Sequence, residues 1–190
     1  MNLSRSKRIA GLVAANGGVL LAIAAMNQHP KSSAVQNAAC GLLWNVAGVV
    51  KSSHSLIASE GGVDAILEAM NEHVGVACVQ QKACLALTIL AYDDDCCATI
   101  LDKESQGVNA AFKAMREHPS DAHVQKYACK FLGSVVQDED ALMLVDKRIA
   151  SKGLPLVREA MERHKDNCDL EKYASRVMSR LQHRIRLGLA

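Results

Sequence analysis

One short frame is written four times along this chain: Ala-Met, two further residues, then histidine. The copies are Ala25-Met26 with His29, Ala69-Met70 with His73, Ala114-Met115 with His118, and Ala160-Met161 with His164. Their methionines are 44, 45 and 46 residues apart. Each frame follows a glycine and an aliphatic residue: Gly18-Val19, Gly62-Val63, Gly107-Val108 and Gly153-Leu154. Each precedes a second recurring block. That block is Val35-Gln36 with Ala39-Cys40, Val79-Gln80 with Ala83-Cys84, and Val124-Gln125 with Ala128-Cys129. The fourth copy is altered to Leu170-Glu171 with Ala174-Ser175. A fixed period of this length marks a helical solenoid, in which each unit buries its apolar face only by stacking on its neighbours.

The residue supply agrees with helices. Hydrophobic residues make up 49% of the 190-residue chain but aromatics only 3%, so the core is built from Ala, Val, Leu, Ile, Met and Cys. Three prolines and abundant Ala and Leu favour helix, and no alternating run bounded by turn residues reads as a strand. Each copy is read as three helices. The first spans 4–15, 51–60, 94–106 and about 139–151. The second spans 18–29, 62–73, 107–118 and 153–164. The third spans about 34–49, 77–92, 122–136 and 168–186. Glycine at the first junction fits a sharp bend, and Pro155 falls just inside a second helix, where its missing N–H costs little. Pro30 with Ser32-Ser33, and Pro119-Ser120-Asp121, supply stop and cap chemistry before the third helix. That helix carries one apolar stripe, for example Val79, Ala83, Leu87 and Leu90.

Ala39-Cys40-Gly41-Leu42-Leu43-Trp44-Asn45-Val46-Ala47, together with Gly61-Gly62-Val63-Asp64-Ala65-Ile66, resembles the armadillo repeat. The resemblance covers essentially the whole chain. It implies an all-α, right-handed α-solenoid of about four armadillo-type three-helix repeats, with units of about 4–49, 51–92, 94–136 and 139–186 in a single domain over 1–190. It further implies a concave groove, lined by the third helices, that holds an extended peptide or partner protein. The importin-type pattern places a groove tryptophan four residues before a groove asparagine. Here the asparagine column reads Asn45, Ile89, Ser134, Arg180, and the tryptophan column reads Gly41, Leu85, Lys130, Arg176. Only Asn45 matches, so a receptor for basic localisation peptides is not expected. Trp44 reads as a packing residue.

With the column four residues earlier, the expected groove consists of Asn37, Gly41, Asn45, Gln81, Leu85 and Ile89 in the first two copies. Lys126, Lys130, Ser134, Lys172, Arg176 and Arg180 complete it in the last two. Residues four apart share a helix face, and neighbouring helices pack at about 8–10 Å, so the five cations are expected to form one patch. The groove is then neutral to apolar at its N-terminal end and basic at its C-terminal end, suited to an acidic or phosphorylated protein or peptide. The overall charge of +2 decides nothing, but its distribution fits: residues 1–95 carry 6 Lys/Arg against 7 Asp/Glu, and residues 96–190 carry 16 against 13.

Other chemistries find less footing. Histidines recurring once per copy are spaced along a ladder and do not converge on one ion; they are expected to donate to last-turn carbonyls. Asp93-Asp94-Asp95-Cys96-Cys97 reads as a helix start, with Asp138-Glu139-Asp140 in the equivalent place. No phosphate loop, nucleophile elbow or metal motif is present, so no catalytic residue, metal or cofactor is expected, and the chain is read as a non-enzyme. Seven cysteines, three of them in one apolar column, read as buried thiols in a reducing compartment, cytoplasm or nucleus. Arg5, Lys7 and Arg8 before an apolar run mimic a signal peptide, but Asn16-Gly17-Gly18 interrupts the run, and no stretch is long enough to span a membrane. Scarce aromatics argue against nucleic acid. The competing reading is a segment of a longer armadillo array, or a self-associating module forming a homo-oligomer.

Overall fold

The computed structural model describes residues 3–137 and 139–187, with side chains from Lys7 onward except at 103–105. The described residues form eleven helices and no strand. They are α1 (Leu3–Ala15), α2 (Gly18–Gln28), α3 (Ser33–Ala47), α4 (Ser53–Ser59), α5 (Gly62–Glu72), α6 (Ala77–Leu90), α7 (Asp94–Glu117), α8 (Ala122–Val135), α9 (Glu139–Leu144), α10 (Lys147–Arg163) and α11 (Cys168–Leu187).

Packing follows chain order in two rows. In one row α3 lies on α6, α6 on α8 and α8 on α11; in the other α2 lies on α5, α5 on α7 and α7 on α10. The apolar stripes meet between the rows in one continuous core running from Ala10 to Leu181. Leu43, Ile66, Leu87, Phe131 and Leu132 are among its fully buried members. The cysteine column, Cys40, Cys84 and Cys129, is sealed inside that core with no exposure, and none of the seven cysteines is in a disulfide. Caps fall where expected. Ser32 Oγ accepts from Val35 N–H at 3.4 Å, Asp121 Oδ1 from His123 and Val124 N–H at 2.9 and 3.0 Å, and Asp93 Oδ1 from Cys96 N–H at 3.1 Å. The Asp93–Asp95 cluster therefore does begin a helix. Its counterpart starts α9 at Glu139, with Asp138 outside the described residues.

The first junction of each copy departs from expectation in half the chain. Gly17 and Gly61 adopt positive φ, 74° and 71°, and each separates a first helix from a second. The axes of 7–15 and 18–28 consequently meet at 74°. In the third and fourth copies the residue at that place is Gln106 or Lys152, for which left-handed backbone is costly. There the helices run on, as α7 and α10. The bend itself survives in α7. A Cβ added at Gly107 would stand 2.9 Å from the carbonyl oxygen of Ile100, seven residues back, where a straight helix would hold the two Cα atoms about 10 Å apart and keep these atoms out of contact. The expected first helix 139–151 divides instead at Asp146, whose carboxylate caps α10 by accepting from Arg148 N–H at 2.6 Å. Pro155 thus lies in the interior of α10, not at a helix start, and supplies no N–H to Ser151.

Among the described residues no single helix is long and apolar enough to cross a membrane; the segment 7–15 with 18–28 has the composition only as a bent pair.

Candidate functional site

Two repeated polar columns hold the rows together and fix where the wall formed by α3, α6, α8 and α11 sits. The first is glutamine. Gln36 Nε2 donates to the carbonyls of Met26 and His29 at 2.9 and 3.0 Å; Gln80 does the same to Met70 and His73, both at 2.9 Å; and Gln125 to Met115 and His118, both at 2.8 Å. Each amide ties the end of a second helix to the start of a third. Glu171, the fourth in the column, has no N–H to give and is exposed.

The second column is histidine. Its backbone N–H closes the preceding helix, onto Ala25, Ala69, Ala114 and Ala160 in turn. The rings do not donate to their own last turn, as the sequence suggested. His73 Nε2 reaches the Pro30 carbonyl at 2.7 Å, His118 the Val74 carbonyl at 2.7 Å, and His164 the Pro119 carbonyl at 2.9 Å. Each acceptor is the residue after the previous copy's histidine. The ladder therefore staples one copy to the next, and the bond requires hydrogen on Nε2.

Along the wall the expected groove residues divide into three sets. Asn37, Gly41 and Asn45 line one groove of about 490 Å³ with Ile9, Val13 and Lys82. Leu85 and Ser134 are buried, so neither offers a surface to a ligand; Ser134 Oγ instead donates to the Phe131 carbonyl at 2.7 Å. Ile89 is partly buried against the core, and Gln81 Nε2 lies 3.3–3.4 Å from the Asp121 carboxylate. The five cations expected to form one patch meet different partners. Lys126 is half-buried, with its ammonium 3.7 Å from Asp169 and 5.0 Å above the Tyr127 ring. Lys130 lies 5.9 Å above Tyr173. Arg180 Nη2 donates to the Gln137 carbonyl at 2.6 Å, and its Nη1 lies 3.9 Å from Glu139. Lys172 and Arg176 are exposed and make no ion pair among the described residues.

For Arg180 the reason is local. α9 and the turn after it present backbone acceptors to α11, and the arginines of α11 turn toward them. Arg184 donates to the Val145 and Met143 carbonyls at 2.9 and 3.4 Å, and His183 Nε2 meets Glu139 at 3.1 Å. A guanidinium carries five N–H donors and no acceptor, so one arginine can hold several of these oxygens at once.

Sequence reasoning missed the adjoining column: Ala38, Lys82, Tyr127 and Tyr173. Two of its members, Lys82 and Tyr173, make contacts across the seams of the wall. Lys82 runs its stem past Gly41, whose added Cβ would lie 3.8 Å from Lys82 Cδ, and holds its ammonium 5.0 Å above Trp44. Trp44 is otherwise packed on the core, as expected. The signal was a long or aromatic side chain, Lys82, Tyr127 or Tyr173, at one repeat position in three of the four copies.

The buried thiols offer little chemistry. Burial pushes Cys40, Cys84, Cys96 and Cys129 up to about 12, so they stay protonated. Among the described residues no three His, Cys, Asp or Glu side chains converge as metal ligands would. Compared with known proteins, the chain matches no family model, no curated protein and no solved structure.

Proposed function

We propose that this chain is a right-handed α-solenoid of about four armadillo-type repeats and serves as a protein-interaction scaffold, its third-helix wall holding an extended segment of a partner protein. The observation that carries this reading is the ordering of α3, α6, α8 and α11 side by side, with an open groove beside α3 that no side chain of the described residues fills. A row of parallel seams presents amides and cations at regular intervals, which suits an extended chain better than a compact ligand. Lys82, which lines the open groove, favours an acidic or phosphorylated partner. No catalytic step is assigned.

The test is photo-cross-linking from Asn45 and Lys172 on the wall, with Glu68 on α5 as the reference. The wall positions are expected to capture a common protein that Glu68 does not. If all three positions capture the same set, or the wall positions nothing, the reading fails.

A second reading, self-association, is favoured by one observation. Leu21 is 69% exposed, while Ala65 and Ala110 at the same repeat position are 5% and 4% exposed. Leu20, Leu12 and Ile9 are exposed beside it at 43%, 55% and 52%. Light scattering of the wild type and of Leu21→Glu is decisive. A wild-type dimer that becomes monomeric in the variant favours this reading, and a monomer in both dismisses it.

A further inference from the structure

The first carboxylate side chain in the sequence is Glu60; the 59 residues before it hold Arg5, Lys7, Arg8, Lys31 and Lys51 and no Asp or Glu. α6, which supplies Lys82 to the groove, contains no acid either. Lys31 is paired with Glu72 at 2.6 Å, but Lys82, the one charged residue among the described lining of the groove bounded by α1, α3 and α6, makes no ion pair among the described residues, so its positive potential there is uncompensated by a carboxylate contact. The C-terminal wall differs: Lys126 and Arg180 already face Asp169 and Glu139.

We infer that an acidic partner anchors in this N-terminal groove and not on the basic C-terminal wall, and that its anchoring segment is an extended peptide with an aliphatic side chain next to Asp or Glu. The inference rests on the partner-binding reading and specifies its ligand. Ile9, Val13, Leu42 and Val46 make the apolar floor that an aliphatic side chain would cover. Lys82 is held at the rim by Gly41 and Trp44, so its ammonium is already placed for a carboxylate. Asn37 and Asn45 are eight residues apart on α3 with Gly41 midway, so the α3 face of the groove extends for about 12 Å. An extended strand covers that length in about four residues and leaves its N–H and C=O groups free for side-chain amides, whereas a helix has spent them internally. Asn37 Oδ1, shielded from solvent, has no hydrogen-bond partner among the described residues, leaving one acceptor for a peptide N–H once the amide turns.

The probe is a short fluorescein-labelled peptide of alternating Asp and Leu, read by fluorescence anisotropy beside Lys/Leu and Asp/Ser peptides of equal length. The Asp/Leu peptide is expected to bind at least about tenfold more tightly than either. Lys82→Glu and Gly41→Leu should each weaken it by about tenfold or more, while Lys172→Glu with Arg176→Glu should leave it within about twofold. Only the Lys82 stem lies within 4 Å of a Cβ at Gly41, so a larger side chain there fills the groove without displacing the core. Gly41→Ala controls for the helix, and Lys82→Glu decides the matter if Gly41→Leu melts early. Loss of binding in the Lys172/Arg176 variant with Lys82→Glu unchanged overturns the inference but leaves a partner-binding wall in place. Equal binding of Asp/Ser and Asp/Leu, or no Asp/Leu binding up to about 1 mM, also overturns it. The cross-linking result above judges the wider reading separately.

Discussion

Gln80 shows how a polar side chain can belong to the core. It has no exposure; its Nε2 donates to the Met70 carbonyl and joins Val76 N–H on the His73 carbonyl, while its Oε1 has no partner among the described residues. Gln80→Leu keeps the volume but removes both bonds, and we expect a loss of about 2–4 kcal/mol in urea unfolding. Glu171→Leu, at the exposed fourth position, should change stability by less than about 0.5 kcal/mol. The histidine staple is single and partly exposed, so His118→Ala should cost about 1 kcal/mol. The buried thiols set a pH dependence of definite sign. Cys40, Cys84, Cys96 and Cys129 are raised from 9.0 to about 12, so the folded state favours the neutral form. Their contribution is intact below pH 9 and is lost as pH rises toward 12. At pH 8 a thiol reagent should therefore label exposed Cys78 and Cys168 in the native protein and reach these four only after denaturation.

At the scale of elements, glycine does two separate jobs at each junction. The first glycine of each pair, Gly17 or Gly61, permits a positive φ that breaks the helix; the second lets two helices touch. Gly153 illustrates the second job most sharply. A Cβ there would overlap the Phe112 ring, with its three nearest atoms between 1.9 and 2.5 Å. Gly153→Ala should lower stability by about 1–3 kcal/mol in a thermal melt, and Phe112→Leu in the same chain should recover part of that. α9 is a short helix moored from outside by Arg180, His183 and Arg184. Arg184→Ala removes its bonds to Val145 and Met143, and amide exchange across 139–145 should quicken selectively, while α3 and α6 keep their protection.

At the scale of the molecule, charge is arranged by compensation more than by count. The C-terminal half has the larger excess of Lys and Arg, yet its acids and carbonyls lie against them. At the N-terminal end Lys31 is paired with Glu72, but Lys82 at the groove makes no ion pair among the described residues. Field and not inventory steers a charged partner. Binding to the α1–α3–α6 groove should accordingly weaken as salt is raised from about 0.05 to 0.5 M, and Lys82→Glu should flatten that dependence.

The period of 44–46 residues, the apolar stripes and the cap residues dictated helices and their order, because each depends on neighbours within a few turns of chain. The same local logic placed the cysteine column inside, since those residues sit on the stripe. It could not tell that Gln106 and Lys152 would carry the helix through a junction that Gly17 and Gly61 interrupt, although the difference was written there. Nor could it tell which wall cations are free. Lys126, Lys130 and Arg180 find partners 43 residues away or across a seam, a distance no periodicity encodes. Whether a lysine faces water or an aspartate depends on how one helix is set against the next, and packing alone settles that.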